Sequence, residues 1–248
     1  MNNVIENQIS QYISGKLIKD RIILSEAFNM CCEKISLDNN ETFVIKYYKK
    51  KSATFNSIVS ESNSLTYLLK KFPLLFPSIK YKSEDLLIID YVEHNNIKGQ
   101  NYQIDLAKQI IKLHSITNDK YGFEFDAQIG GLRQSNLFDS SWVNFFGEKR
   151  LNMIFEEINK KDPMPSLINN KIEKLISNLK NYLPNKTNIS LLHGDLWEGN
   201  ILFHNKKLVS LIDPGIYFGH NELEVAYLTW FGLVDDIFLN YYSNFIKI

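Results

Sequence analysis

Apolar and polar positions follow two rhythms along this chain, strand-like at the front and helical further on. Residues 22–48 read as strands and turns: RIILSEAFNMCCEKI, the polar stretch Leu37-Asp38-Asn39-Asn40-Glu41, then TFVIKYY. An Asp-Asn-Asn cluster between two β-prone runs predicts a hairpin. Over 55–71 the spacing changes. Phe55, Ile58, Val59, Leu65, Leu68 and Leu69 recur at helical intervals, and Pro73 and Pro77 close the element. Residues 86–92 form a short, nearly all-apolar run that predicts a strand.

Beyond Gly99 the helical rhythm dominates. Leu106, Ile110, Leu113 and His114 sit at core spacing in a helix predicted over 104–116. Further helices are predicted over 142–158, 167–183, 221–234 and 235–248. Residues 121–138 are irregular around Gly130-Gly131, and a loop of that length inside a compact domain tends to be functional. The short apolar runs 201–203 and 208–212 predict a small hairpin late in the chain. The pattern predicts an α+β chain in two lobes. A small antiparallel-sheet lobe spans 1–92, and a mainly helical lobe carrying the late hairpin spans 93–248.

That hairpin carries the candidate chemistry. The stretch LLHGDLWEGNILFHNKKLVSLIDPGIYFG places Asp195 and Asn200 in a D-x-x-x-x-N spacing, with Asp213 eighteen residues after Asp195. The two apolar runs lie between them, so a carboxylate, an amide and a second carboxylate arrive at one end of a hairpin. Phosphoryl transfer needs that set: one carboxylate to orient and deprotonate the attacking hydroxyl, and an Asn and an Asp to hold Mg²⁺. An isolated D-x-x-x-x-N or Asp-Pro-Gly turn is commonplace; the conjunction is more specific. Lys46 falls inside the TFVIKYY strand, where it fits either a solvated strand face or a lysine that pairs with ATP phosphates. Glu61, inside the following helix, is either a surface residue or the partner of Lys46. Asp90-Tyr91-Val92-Glu93 reads as a hinge beside an adenine. His193 reads as structural, since no second histidine stands at metal-ligand spacing.

Composition changes this picture little. Of 248 residues, 44% are apolar and 23% charged, an ordinary globular profile. Lys+Arg and Asp+Glu both total 28, so no net field favours nucleic acid or an anionic membrane. The run Lys49-Lys50-Lys51 reads as a solvated strand end. No apolar segment reaches membrane-spanning length, and MNNVIENQIS lacks the features of a signal peptide, which predicts a cytoplasmic protein. The oligomeric state stays open. Cys31 and Cys32 are adjacent and match neither a zinc nor a Cys-x-x-Cys spacing; they read as buried strand thiols, with a redox role as the lesser alternative. No glycine occurs between Gly15 and Gly99, and neither a Rossmann nor a Walker phosphate loop is present. The G-x-S-x-G of serine hydrolases is also missing.

Several segments resemble the fructosamine kinase (ketosamine-3-kinase) family, relatives of the aminoglycoside phosphotransferases with a protein-kinase-like fold. HGDLWEGN at 193–200 resembles that family's HGDLWxGN signature, and LIDPGIYFGHNELEVA at 211–226 its LIDPxxYxGHxExDLA segment. YGFEFDAQIGGLRQSN at 121–136 and SWVNFFGEKRL at 141–151 resemble its insertion and following helix. EAF at 26–28, FVIK at 43–46 and ESNSL at 61–65 match more loosely. The resemblance runs from about Ser25 to Gly232.

The resemblance implies a two-lobed kinase that uses ATP and Mg²⁺ to phosphorylate the 3-hydroxyl of a sugar joined to an amine by a ketoamine linkage. The amine is free or protein-bound, and its release repairs glycation. Asp195 would be the base, Asn200 and Asp213 the Mg²⁺ ligands, Lys46 the phosphate ligand and Glu61 its positioner. Backbone N–H groups around Ser25 would grip the nucleotide, with Asp90 and Val92 in the hinge. Trp197, His220, Glu222, Gln134 and Asn136 would line the sugar site. Three departures stand out. Lys19-Asp20-Arg21-Ile22 replaces the family's glycines before EA, Glu224 stands where the family has Asp, and the chain ends soon after Phe231-Gly232, where relatives carry further helices. Two alternatives remain at this point: a phosphotransferase for an aminoglycoside, choline or related amino alcohol, and a catalytically silent nucleotide-binding relative.

Overall fold

A computed structural model describes residues 3–50 and 55–248; Lys51 of the basic run, with Met1 and Asn2 of the N-terminal stretch, lies outside them. The chain opens with α1 (Asn3–Ile13), β1 (Ile18–Ala27), β2 (Met30–Leu37), β3 (Thr42–Tyr48), α2 (Ser57–Leu69), β4 (Ile79–Lys82) and β5 (Leu86–Asp90). It continues through α3 (Tyr102–His114), β6 (Ala127–Ile129), β7 (Leu132–Gln134), α4 (Trp142–Phe146), a π-helical turn (Gly147–Asn152), α5 (Met153–Lys161) and α6 (Ser166–Ser177). It closes with β8 (Ile189–Leu192), β9 (Ile201–His204), β10 (Lys207–Leu211), β11 (Tyr217–His220), α7 (Asn221–Trp230) and α8 (Asp236–Ser243). Among the described residues no helix is long and apolar enough to cross a membrane.

The chain groups into two compact units, Met1–Tyr102 with Gly199–Pro214, and Gln103–Glu198 with Gly215–Ile248. This differs from a single cut after residue 92, because the β9–β10 hairpin packs with the front of the chain. Leu211 N donates to Leu75 O at 2.8 Å, and Asn96 N donates to Phe203 O at 2.8 Å. Gly99 permits the approach: a Cβ there would stand 2.5 Å from the Lys206 carbonyl oxygen.

In the first unit, five antiparallel strands run in the order β1-β2-β3-β5-β4. Strand alternation gives each face its own task. Cys31, Ile35, Leu37, Phe43, Ile45, Tyr47, Leu86 and Ile88 form one core with Ile5, Ile9 and Ile13 of α1. Those isoleucines recur every fourth residue, the stripe by which a helix lies on a sheet. Neither α1 nor β4 is predicted above, since polar residues surround the isoleucines of the first and the second is only four residues long. The β1–β2 turn also departs from expectation. Ala27 pairs with Met30, leaving Phe28 and Asn29 at φ 52° and 62°. Two-residue hairpins require such left-handed centres, and the absence of glycine concealed this one.

In the second unit, β8 pairs with β11, and β6 with β7 across Gly130-Gly131. The segment 121–138 is therefore a small hairpin within a loop, not irregular throughout. The helix expected over 142–158 forms without interruption as far as Lys161, with a π turn over Gly147–Asn152 in its middle. The closing helices are shorter than predicted, because Gly232 at φ 66° ends the turn after α7 and Asp235 caps α8.

Candidate active site

Strand alternation turns Lys46 onto the face opposite Ile45 and Tyr47, where it is only 4% exposed. The solvated-face alternative is thereby excluded. Its Nζ donates to Glu61 Oε1 at 2.6 Å and to Asp213 Oδ1 at 2.5 Å. Glu61 is itself 3% exposed on α2. Asn56 starts that helix, its side chain accepting from Ile58 N and Val59 N. Burial alone would depress the Lys46 ammonium, but the charges of Asp213 and Glu61 outweigh it and hold the group above its ordinary value. Burial pushes the Glu61 carboxyl up to about 6; Lys46 pulls it down and the Asp213 charge pushes it up again. The triad is stable only as a set, because removing one member strands a buried charge.

Asp213 reaches Lys46 from the end of the β9–β10 hairpin. Leu211 pairs with Ile201, and Ile212 N donates to Asn200 O at 3.0 Å, so the two sequence-predicted metal ligands leave the same end of the hairpin. Asn200 is 5% exposed. Asp213 adopts φ 57°, a left-handed conformation that Asp and Asn tolerate better than other side chains. A carboxylate and an amide are hard oxygen donors of the kind Mg²⁺ takes. Among the described residues no group of three or more His, Cys, Asp or Glu is arranged to hold a metal.

The other nucleotide candidates of this unit are spread around the sheet. Ser25 lies on β1 opposite Cys32, next to a register shift, and is exposed. The Asp90 carboxylate pairs with Lys80 at 2.9 Å, and the Val92 carbonyl bonds the His94 ring at 2.9 Å. Cys31 and Cys32 face opposite sides of the sheet as free thiols. Burial pushes the Cys32 thiol up to about 12, which leaves it protonated at neutral pH and unsuited to the redox alternative.

In the second unit, β8 runs into His193-Gly194-Asp195. Gly194 sits at φ 86°, and a Cβ on it would fall 2.0 Å from Gly215 O, so only glycine fits. The buried Glu224 carboxylate holds this turn. Oε1 accepts from Gly194 N at 2.9 Å; Oε2 accepts from His193 N at 3.1 Å and bonds His114 Nε2 at 3.0 Å. Behind it, His114 Nδ1 bonds the Tyr242 hydroxyl at 2.7 Å, and Asn221 Nδ2 donates to that hydroxyl at 3.1 Å. Burial would push the Glu224 carboxyl up, but the His114 bond and charge, with His193 and the Gly194 amide, hold it below the ordinary range. Asp195 is thus presented by a turn whose backbone is fixed from α3, α7 and α8. From the sequence, the longer Glu224 is expected to alter how the hairpin is braced, but its partners are not foreseen: His114 reads only as core, and nothing singles out Tyr242.

The sugar-site candidates separate. Trp197 is 42% exposed, with its ring 6.4 Å from Phe231, which in turn meets Tyr227 edge-on at 4.9 Å. Gln134 is buried, and its Oε1 has no hydrogen-bond partner among the described residues. Asn136 is fully buried and committed to the scaffold. Its amide donates to Phe125 O and Ile216 O, and its Oδ1 accepts from Arg150. His220 is buried, accepts from Glu222 N as the cap of α7, and packs edge-on against Trp142. Burial lowers its pKa, which fits a neutral capping role. Glu222 lies partly exposed, 3.9 Å from the His220 ring.

Comparison with known proteins finds relatives among ketoamine and ribulosamine kinases. A protein-ribulosamine 3-kinase of Arabidopsis thaliana is 31% identical over 159 residues, 63% of this chain and 48% of that protein. The "probable ketoamine kinase" of Enterococcus faecium is 31% identical over 161 residues, 64% of this chain and 56% of that protein. The chain therefore spans about half the length of the curated relatives it matches. A crystal structure from Thermobifida fusca, provisionally assigned as a fructosamine-3-kinase, superposes with a TM-score of 0.82 at 19% identity. The overlap covers 100% of this chain and 86% of that one, and establishes the two-lobed kinase-like fold. The family model described as fructosamine kinase matches residues 1–248, and the chain belongs to the fructosamine kinase family.

Proposed function

We propose that this protein is an ATP-dependent kinase that phosphorylates the O3 hydroxyl of a ketoamine sugar. The observation that carries the reading is the Lys46–Glu61–Asp213 triad, its lysine and glutamate buried, at the hairpin end that also presents Asn200. A surface lysine has no use for two carboxylates, one of them 3% exposed; a lysine that must grip phosphates does. Lys46 binds the phosphates and Glu61 positions it, while Ser25, Asp90 and Val92 lie along the nucleotide path. Asp213 and Asn200 would hold Mg²⁺, which would supply neutralisation of phosphate charge. Asp195 orients the sugar hydroxyl and accepts its proton as the new O–P bond forms and the bond to ADP breaks. Trp197 and Gln134 face the acceptor, a glycated amine that is either small or protein-bound.

The test is ADP release with Mg-ATP, comparing fructosyl-lysine or ribulosyl-lysine with kanamycin and choline. Turnover with ketoamines alone is expected, and Asp195→Asn should lower kcat by about 10²–10⁴-fold. Turnover only with kanamycin or choline would move the chain to a sister activity. ATP binding without turnover on any acceptor would make it a silent relative.

A further inference from the structure

The second unit contains a cavity of about 150 Å³ whose wall is mostly apolar. Phe146, Leu151 and Ile154 line one side, and Leu192, Leu196 and Tyr227 the other. An apolar cavity of about that volume stays dry and accepts a benzene-sized guest. Its position ties it to the candidate chemistry. Gly194 and Leu196, the two neighbours of Asp195 in the chain, both line it. So does Tyr227, whose phenol is pushed up by burial and by the Asp195 charge.

Besides the phenols of Tyr217 and Tyr227, three polar side chains reach the wall, and two of them are held by the scaffold. Glu224 receives Gly194 N, His193 N and His114 Nε2. The Arg150 guanidinium donates to Ser135 O at 2.9 Å, Lys149 O at 2.9 Å and Asn136 Oδ1 at 2.7 Å, and lies 4.0 Å from the Tyr217 ring. The third is Gln134, whose buried Oε1 lacks a donor among the described residues. The cavity's lining residues therefore offer apolar contact, the Gln134 acceptor, an Arg150 Nε without a partner among the described residues and two phenols, with no uncommitted carboxylate for an ammonium.

We infer that this cavity receives the non-sugar substituent of the acceptor amine, and that it selects ketoamines carrying a neutral, ring-sized group over those carrying a charged chain. The inference rests on the kinase reading above and adds the acceptor's class to it. A ketoamine linkage supplies the matching pieces: an N–H that can donate to Gln134, and a substituent beyond it to fill the space.

The experiment compares fructosyl-benzylamine with fructosyl-lysine as acceptors at fixed Mg-ATP. A preference in kcat/KM of about tenfold or more for the benzyl compound is expected, the scale on which apolar pockets discriminate. Ile154→Trp, which fills the cavity, should reduce that ratio below about threefold. The conservative Ile154→Val should keep it. Equal kcat/KM for both acceptors, or a ratio untouched by Ile154→Trp, overturns the inference while leaving the kinase reading intact. If neither compound turns over, the kinase reading fails and calorimetric binding of the same two compounds decides the cavity. Binding of the benzyl compound that Ile154→Trp abolishes upholds it, and absence of binding overturns it.

Discussion

Two buried glutamates serve the two units, and their environments drive them in opposite directions. Glu61 and Glu224 are 3% and 4% exposed, so both bear nearly the full desolvation of a carboxylate. Glu61 shares a single ammonium with Asp213, and its carboxyl rises to about 6. Glu224 collects two backbone N–H groups and an imidazole, and its carboxyl falls. Burial is common to both; the number of donors decides the sign. The first arrangement keeps a lysine poised beside competing anions, a state that a phosphate ligand can rearrange. The second fixes a loop and leaves it little freedom.

The strongest way to break this comparison is Glu224→Ala. It strands His114, the His193 amide and the Gly194 amide in a dry site, and should cost about 3–5 kcal/mol, the loss seen when one partner of a buried ionic set is removed. Urea unfolding at neutral pH measures it. A loss below about 1 kcal/mol would mean that Glu224 does not hold the turn.

The pH dependence sharpens the contrast. Glu61 has its folded pKa raised from 4.5 to about 6, so the folded state holds the extra proton between those values. Stability from this group is highest below pH 4.5 and falls as pH rises to 6, by about 2 kcal/mol in total. Glu224 has its folded pKa lowered, so its contribution is present above pH 4.5 and is lost as pH falls through the folded value. The urea midpoint of Glu61→Gln, subtracted from that of the parent between pH 4.5 and 6.5, should show the first slope. A flat difference curve would contradict it. Glu224→Gln should remove stability at pH 7 and progressively less toward acid.

The smallest effect tests how far the bracing of the Asp195 turn extends. Tyr242→Phe deprives His114 Nδ1 and Asn221 of a shared hydroxyl, although Asn221 keeps its bond to Lys247 O at 3.3 Å. A loss of about 1 kcal/mol in thermal unfolding is expected.

What the sequence disclosed follows from locality. Lys46 stands in a short β-prone run, and Asn200 and Asp213 flank two short apolar strands, so a few neighbours suffice to put each on its element. Helical spacing places Glu61 inside α2 but leaves it open between a surface residue and the partner of Lys46. The turn at Phe28-Asn29 escaped notice because its left-handed centres are not glycine, and α1 because three isoleucines stand in a polar stretch. The brace behind Asp195 was out of reach for a different reason. His114 meets Glu224 and Tyr242 across 110 and 128 residues, separations that no local periodicity encodes. Asn136 is hard to read for the same reason, since its three side-chain hydrogen bonds are to the Phe125 and Ile216 carbonyls and to Arg150.

The widened turn at Gly147–Asn152 sets where every later side chain of its helix points. Tightening it to ordinary α geometry by deleting one residue would turn α5 by about 100° relative to α4. Leu151 and Ile154 would swing away from the hollow they now border, and Arg150 from the carbonyls it now binds. One surplus peptide unit thus works as a fixed angular offset between two halves of a helix.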